Sequence, residues 1–208
     1  MGKWEMVRLS DVIGETITGE WGTECDESVE GVKILRTTNF TNLGVINYDN
    51  VVLRNISAKK VKSKKLKPND IILEKSGGSD NQPVGRVVFF ENETDETFLC
   101  NNFTHIMRVN QTIALPRYVF QFLYHIHKIG ITELLQNKTT GIRNLQLKQY
   151  MAQGFPLPPL PIQQKIADVL DKASALIEMR KAQIEKLDLL VKSQFQNYFF
   201  QNLFVALS

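Results

Sequence analysis

The sequence is poor in the residues that staple or metallate a small protein. Its two cysteines, Cys25 and Cys100, stand alone, so we read them as reduced thiols rather than a disulfide framework. Its three histidines do not make a zinc set, because His125 and His127 are two apart and diverge on a helix, and His105 is remote. No run of 18 apolar residues occurs, so no transmembrane helix is expected. The N-terminal MGKWEMVRLSDV has no apolar signal core, which points to the cytoplasm, and Met6 stands where a myristoylation signal needs Ser or Thr. Charge is also short: the formal total is only +3, so a nucleic-acid role requires a local patch. Neither GxxxxGK[ST] nor GxGxxG is present, nor is a methyltransferase glycine motif or an Asn/Asp-Pro-Pro-aromatic motif. With no acid–base pair either, the chain is expected to bind rather than catalyse. What remains is ordinary globular composition, 43% hydrophobic and 23% charged over 208 residues, which fits one domain plus an extension.

The extension begins at a proline-rich stretch. Pro156, Pro158, Pro159 and Pro161 interrupt any preceding helix, and Pro161 suits a first helical position. From Ile162 onward there is no Gly or Pro. Leu170, Ile177, Ile184, Val191 and Tyr198 recur every seven residues; Ile166, Ala173 and Leu187 form a second series, interrupted by Arg180 and Gln194; Val169, Leu176 and Leu190 widen the stripe. This heptad pattern predicts one long helix that packs on another helix. At 1.5 Å per residue, some 40 residues reach roughly 60 Å, more than a domain of this size needs for its own core, so the helix is expected to protrude toward a partner.

The preceding residues alternate short strand patterns with polar loops. Lys59 to Lys67 reads KKVKSKKLK, either a solvated helix face or a set of phosphate contacts. Pro68-Asn69-Asp70 turns the chain into a buried strand from Ile71. Asp70, Glu74 and Lys75 invite a metal-dependent nuclease reading, but Glu74 and Lys75 are adjacent and so point to opposite faces of a strand. Two polar loops are the candidates for base-edge contact: Ser76 to Arg86, with Gly77-Gly78 followed by Ser79, Asp80, Asn81 and Gln82, and Asn137 to Leu145, with Lys138, Thr140, Arg143 and Asn144. The plain alternative for the first is a hairpin loop. Pro116-Arg117-Tyr118 opens an amphipathic helix running to about Lys128.

The segment LPPLPIQQKIADVLDKASALIEMRKAQIEKLDLLVKSQF resembles the region that ends each half of the specificity subunit of type I restriction–modification systems. Arg36-Thr37-Thr38-Asn39-Phe40, the Pro68–Ile72 turn, Gly77-Gly78 with Val84-Gly85-Arg86, and Thr140 to Leu145 resemble pieces of such a half. The resemblance implies an α+β fold: a globular mixed-sheet target recognition domain over residues 1–155, then a proline junction and long spacer helix over 156–208. It implies recognition of one half of a split site on double-stranded DNA, with the helix paired as an antiparallel coiled coil. Methyl transfer and cleavage would belong to modification and restriction subunits, S-adenosylmethionine being bound by the modification subunit and no cofactor by this chain. A full specificity subunit has two halves, whereas an aromatic tail, QNYFFQNLFVALS, follows Phe195 here. The expectation is therefore a half subunit that joins a second copy of itself and reads an interrupted palindrome.

The expected DNA contacts are Lys62, Lys64 and Lys65 on the backbone and Ser79, Asp80, Gln82, Lys138, Thr140, Arg143 and Asn144 on bases and neighbouring phosphates. The expected dimerisation residues are Ile166, Leu170, Ala173, Ile177, Ile184, Leu187 and Val191. A coiled-coil adaptor that binds protein, or a magnesium-dependent nuclease, are the competing functions.

Overall fold

The strand Ile71–Glu74 is the element from which the fold is built outward in the computed structural model, which describes residues 4–25, 31–79, 81–92, 95–139 and 142–206. Its Ile-Ile-Leu run is apolar on both faces, as a strand covered on both sides should be, and all four of its residues are buried. It pairs antiparallel with Thr104–Val109 and with Val87–Phe89, and Ile13–Thr18 extends the sheet beyond Thr104–Val109. Three smaller sheets surround this one. Glu5–Arg8 pairs with Gly154–Leu157; Val32–Leu35 pairs antiparallel with Val52–Arg54 and parallel with Phe98–Cys100; and Ile142–Leu145 lies between Gln136–Thr139 and Ser76–Gly78. The fold is α+β with mixed pairing, and it divides into two compact units, Met1–Gln164 and Lys165–Ser208.

Leu35, Phe40, Ile72, Val88, Phe98 and Ile106 belong to one core cluster of the first unit, and Ile34, Ile56 and Leu99 form a smaller one. The helix Pro116–Lys128 starts on its proline, where the missing N–H costs nothing, and buries Val119, Leu123 and Ile126. Phe120 meets Phe89 of the central sheet with ring centroids 5.4 Å apart. Gly130, at φ +80°, ends that stretch, so Ile131–Leu134 is a separate short helix rather than a continuation.

Two buried ion pairs hold the ends of Ile71–Glu74. At one end Glu74, 2% exposed, takes a bidentate pair of bonds from Arg86 at 2.8 and 3.0 Å. At the other end Arg108 donates to Asp70 at 2.9 Å, to Glu15 at 2.8 Å and to the Lys65 carbonyl at 2.8 Å. Burial pushes both carboxyls up in pKa, against the downward pull of their arginines. Such pairs fix geometry more than they add stability, but removing one partner strands a charge in the interior.

The long helix spans Leu160–Ala206, 47 residues or about 70 Å at the standard rise. In the first unit its opening turn is held by Gln163, which is fully buried. The side-chain oxygen accepts the Leu115 N–H at 2.8 Å, and the amide nitrogen donates to the Pro158 carbonyl at 2.8 Å. Beyond the first turns the heptad positions are exposed, from 41% at Leu170 to 69% at Tyr198, while Ile166 is half-buried. No helix among the described residues is long and apolar enough to cross a membrane.

Two expectations are corrected. The stretch from Ser76 is not loop throughout: Ser76–Gly78 is a strand, because the Lys75 and Ser76 amides both donate to the Phe103 carbonyl and Ile142–Leu145 pairs alongside. Asn137 to Leu145 is likewise a hairpin of two strands, Gln136–Thr139 and Ile142–Leu145, with its tip outside the described residues.

Two outcomes follow for stability. Arg86→Met is expected to cost about 3–5 kcal/mol in urea unfolding, since Glu74 is left buried and unpaired. His127 donates to or accepts from Thr132 at 2.8 Å, and burial first, then the charges of Lys128 and Arg86, lower its pKa to about 4. Its folded form is neutral while the unfolded chain takes up a proton near pH 6.5, so its contribution is complete above that pH and is lost as pH falls toward 4. His127→Gln should flatten that part of the urea-midpoint profile.

Candidate nucleic-acid interface

The three-stranded sheet brings the two candidate reading segments side by side. Arg143 lies in register with Gly78, and Asn144 lies opposite Ser76. The Ser76 hydroxyl donates to the Asn144 side-chain oxygen at 2.6 Å, tying one segment to the other. Just beyond, Ser79 and Gln82 close a tight turn through bonds between their own backbones at 2.9 and 3.3 Å. Gly78 is required there: a Cβ on it would come within 2.6 Å of the Gln82 carbonyl oxygen.

Beside that turn is an open cleft of about 320 Å3, lined by Gly77, Gly78, Ser79 and Gln82, by Thr37 and Thr38, and by the Glu74–Arg86 pair. Arg86 also donates to the Phe40 carbonyl at 3.1 Å and the Thr37 carbonyl at 3.0 Å. One guanidinium thus holds the 3₁₀ turn Thr37–Asn39 against the strand that leads into the glycine turn. Asn39 completes the turn by accepting the Arg36 amide at 2.8 Å and donating to the Asn47 carbonyl at 3.0 Å. The result is a pre-shaped polar rim of hydroxyls, amides and an arginine, the groups that contact phosphates and base edges.

Of the residues expected on DNA, Ser79, Gln82, Arg143 and Asn144 are gathered here. Lys138 has its strand position opposite Arg143, and Asp80 and Thr140 lie outside the described residues. The lysines form a separate feature on the helix Ala58–Lys64 and the residue after it. Lys62 and Lys65 are exposed, but Lys64 donates to Glu20 at 3.1 Å, as Lys60 does at the same distance. The Lys64 bond, foremost, holds the Glu20 carboxyl below its usual pKa.

Several rim residues were not singled out from the sequence. Thr37 and Thr38 stand in the sequence only within the Arg36–Phe40 motif, and no charge or turn signal of their own marks them as part of a site. Asp70 and Glu74, which suggested a nuclease, are committed to Arg108 and Arg86 instead. No group of His, Cys, Asp and Glu able to hold a metal exists among the described residues.

Comparison with known proteins gives one consistent result. Residues 1–189 match the family model described as the type I restriction modification DNA specificity domain. The protein described as the MjaX type I restriction enzyme specificity subunit of Methanocaldococcus jannaschii is 22% identical over 202 residues, a match that covers 97% of this chain and 46% of that protein. The chain therefore spans about half the length of that relative. A solved structure from work on complex assembly and conformational transition of the type I R-M system aligns with a TM-score of 0.60 at 19% identity, over 89% of this chain and 42% of the other. The HsdS subunit of Thermoanaerobacter tengcongensis gives 0.56 at 17%, over 86% and 40%. The type I S subunit of M. genitalium gives 0.50 at 16%, over 85% and 42%. At these identities the likeness to the solved structures concerns the fold.

A local test of the rim is Gly78→Ala. It should raise amide hydrogen exchange across Ser76 to Val84 while leaving exchange of the Ile71–Glu74 amides little changed; uniform loosening of both would mean the glycine serves the core instead.

Proposed function

The chain belongs to the type I restriction–modification DNA specificity family, and from that premise we propose that it is the DNA-reading, non-catalytic part of a cytoplasmic methyltransferase and nuclease complex. The observation that supports this most is the meeting of the Ser76–Gln82 and Asn137–Asn144 segments on one sheet beside a rigid polar turn. In the major groove Arg143, Asn144, Ser79 and Gln82 would have the donors and acceptors to discriminate bases. Lys62 and Lys65 would lie along the phosphates and set register without choosing sequence. The chain would direct a modification subunit that holds S-adenosylmethionine, and through it a restriction subunit.

The helix has a second role in this reading. Leu170, Ile177, Ile184, Leu187 and Val191 form a seam that is exposed in the single chain. A second copy, running antiparallel, would bury those side chains and relate the two reading units by a two-fold axis. Two identical readers so related recognise two inverted half-sites across a spacer, so the target would be bipartite and palindromic. Domain assignment follows: the globular part reads, and the helix sets separation.

Two measurements test this. Ile177→Asp together with Ile184→Asp should convert a dimer into a monomer in sedimentation equilibrium; a wild-type chain that stays monomeric at high concentration, alone and with the methyltransferase, would remove the pairing. In gel shifts with the methyltransferase present, Arg143→Gln should cost about 1–3 kcal/mol for the cognate site. Lys62→Gln should instead weaken all sequences evenly and reduce the salt slope by about 1. The absence of salt-dependent DNA binding would favour a protein adaptor.

A further inference from the structure

Beside the turn Thr37–Asn39 are two further clefts, which share Thr38 with the cleft at the glycine turn. One, of about 410 Å3, is walled by Trp21 and Phe103 and edged by Asn101, Asn102, Arg36 and Thr38. The other, about 330 Å3, is lined by Arg36, Thr38, Asn39, Asn47 and Asn50. Arg36 and Thr38 belong to both. An aromatic-walled space beside one lined by amides, the two sharing an arginine and a hydroxyl, matches the two halves of a nucleotide: a ring to stack and a phosphate to neutralise.

Strand pairing explains why these residues meet. Leu35 pairs in parallel with Cys100, and the Asn101 amide donates to the Leu35 carbonyl at 2.9 Å, so Arg36 and Asn101 continue two neighbouring strands side by side. The cleft is also pre-set. The Arg54 guanidinium stacks 4.5 Å from the centre of the Trp21 ring and donates to the Trp21 carbonyl at 3.3 Å, fixing the indole. The Phe103 carbonyl accepts the Lys75 and Ser76 amides, which anchors its backbone while the ring remains 43% exposed. The Arg36 side chain donates to the Asn50 carbonyl at 2.9 Å, and its amide is held by Asn39.

We propose that these adjoining clefts bind one unstacked nucleotide, its base against Phe103 and Trp21 and its phosphate at Arg36 and Thr38. A base inside a duplex has both faces covered by its neighbours, so the ligand is a nucleotide free in solution or one in an unpaired strand. The inference goes beyond duplex reading and does not need it, so failure of either leaves the other standing.

The sequence has two tryptophans, Trp4 and Trp21, and Trp4 is half exposed near the N-terminus. In a Trp4→Phe background, fluorescence therefore reports on Trp21 alone. Titration with dAMP should quench it saturably, deoxyadenosine should bind about tenfold more weakly for want of a phosphate, and Phe103→Ala should weaken dAMP about tenfold or more. Arg36→Gln should abolish the preference for dAMP over deoxyadenosine, an effect that a purely structural role would not produce. A single-stranded oligonucleotide that binds more tightly than dAMP identifies an unpaired strand as the source; dAMP alone identifies the free nucleotide. The proposal is overturned if none of these ligands quenches saturably at millimolar concentration, or if Phe103→Ala, an exposed site whose loss spares the core, titrates like its parent.

Discussion

Much of the candidate interface depends on the one guanidinium of Arg86. It neutralises Glu74 at the end of the central strand and in the same plane caps the carbonyls of Thr37 and Phe40. Without it the strand would end on a buried negative charge, and the turn that shapes the rim would lose two of its acceptors' partners. A buried pair of this kind is a poor source of stability and a good source of geometry, since desolvation offsets most of its attraction. That suits a surface that has to present donors and acceptors at fixed positions, because groups already ordered lose little entropy on binding. The second pair, Arg108 with Asp70 and Glu15, secures the opposite end of the same strand and reaches the Lys65 carbonyl.

The helix was legible in the sequence because its signal is local: a seven-residue repeat, no Gly or Pro, and prolines before it. The helix from Pro116 to Lys128 was legible for the same reason, with both ends marked. The buried strand Ile71–Glu74 announced itself through a turn followed by an apolar run. The strands at Ser76–Gly78 and Ile142–Leu145 did not, because polar and glycine-rich residues have no strand pattern of their own; they are strands only because a neighbour supplies the ladder. Residue chemistry picked out Ser79, Gln82, Arg143 and Asn144, but their meeting across some sixty positions is a tertiary fact. The Lys64–Glu20 pair was likewise not legible in the charge run, since Glu20 lies far away in sequence. The turn at Thr37–Asn39 was missed as a site because its importance comes from Arg86, which local inspection cannot pair with it.

The two parts of the chain follow different physics. The globular unit buries apolar side chains in clusters such as those around Ile72 and Ile34. The helix leaves an apolar seam exposed over several turns, and an apolar patch of that kind marks an interaction surface. In the proposed assembly the cover is the same helix of a second copy, and the rod then does more than hold two chains together: it fixes how far apart, and in what mutual orientation, two identical readers meet the duplex.

That geometry makes one demand on the DNA itself. Sequencing the methylated positions in cells that express this chain with its methyltransferase, and no other specificity subunit, tests it most directly. The account predicts a single motif made of two inverted half-sites separated by a spacer of fixed length. A continuous or asymmetric motif, or methylation at no defined sequence, would contradict it.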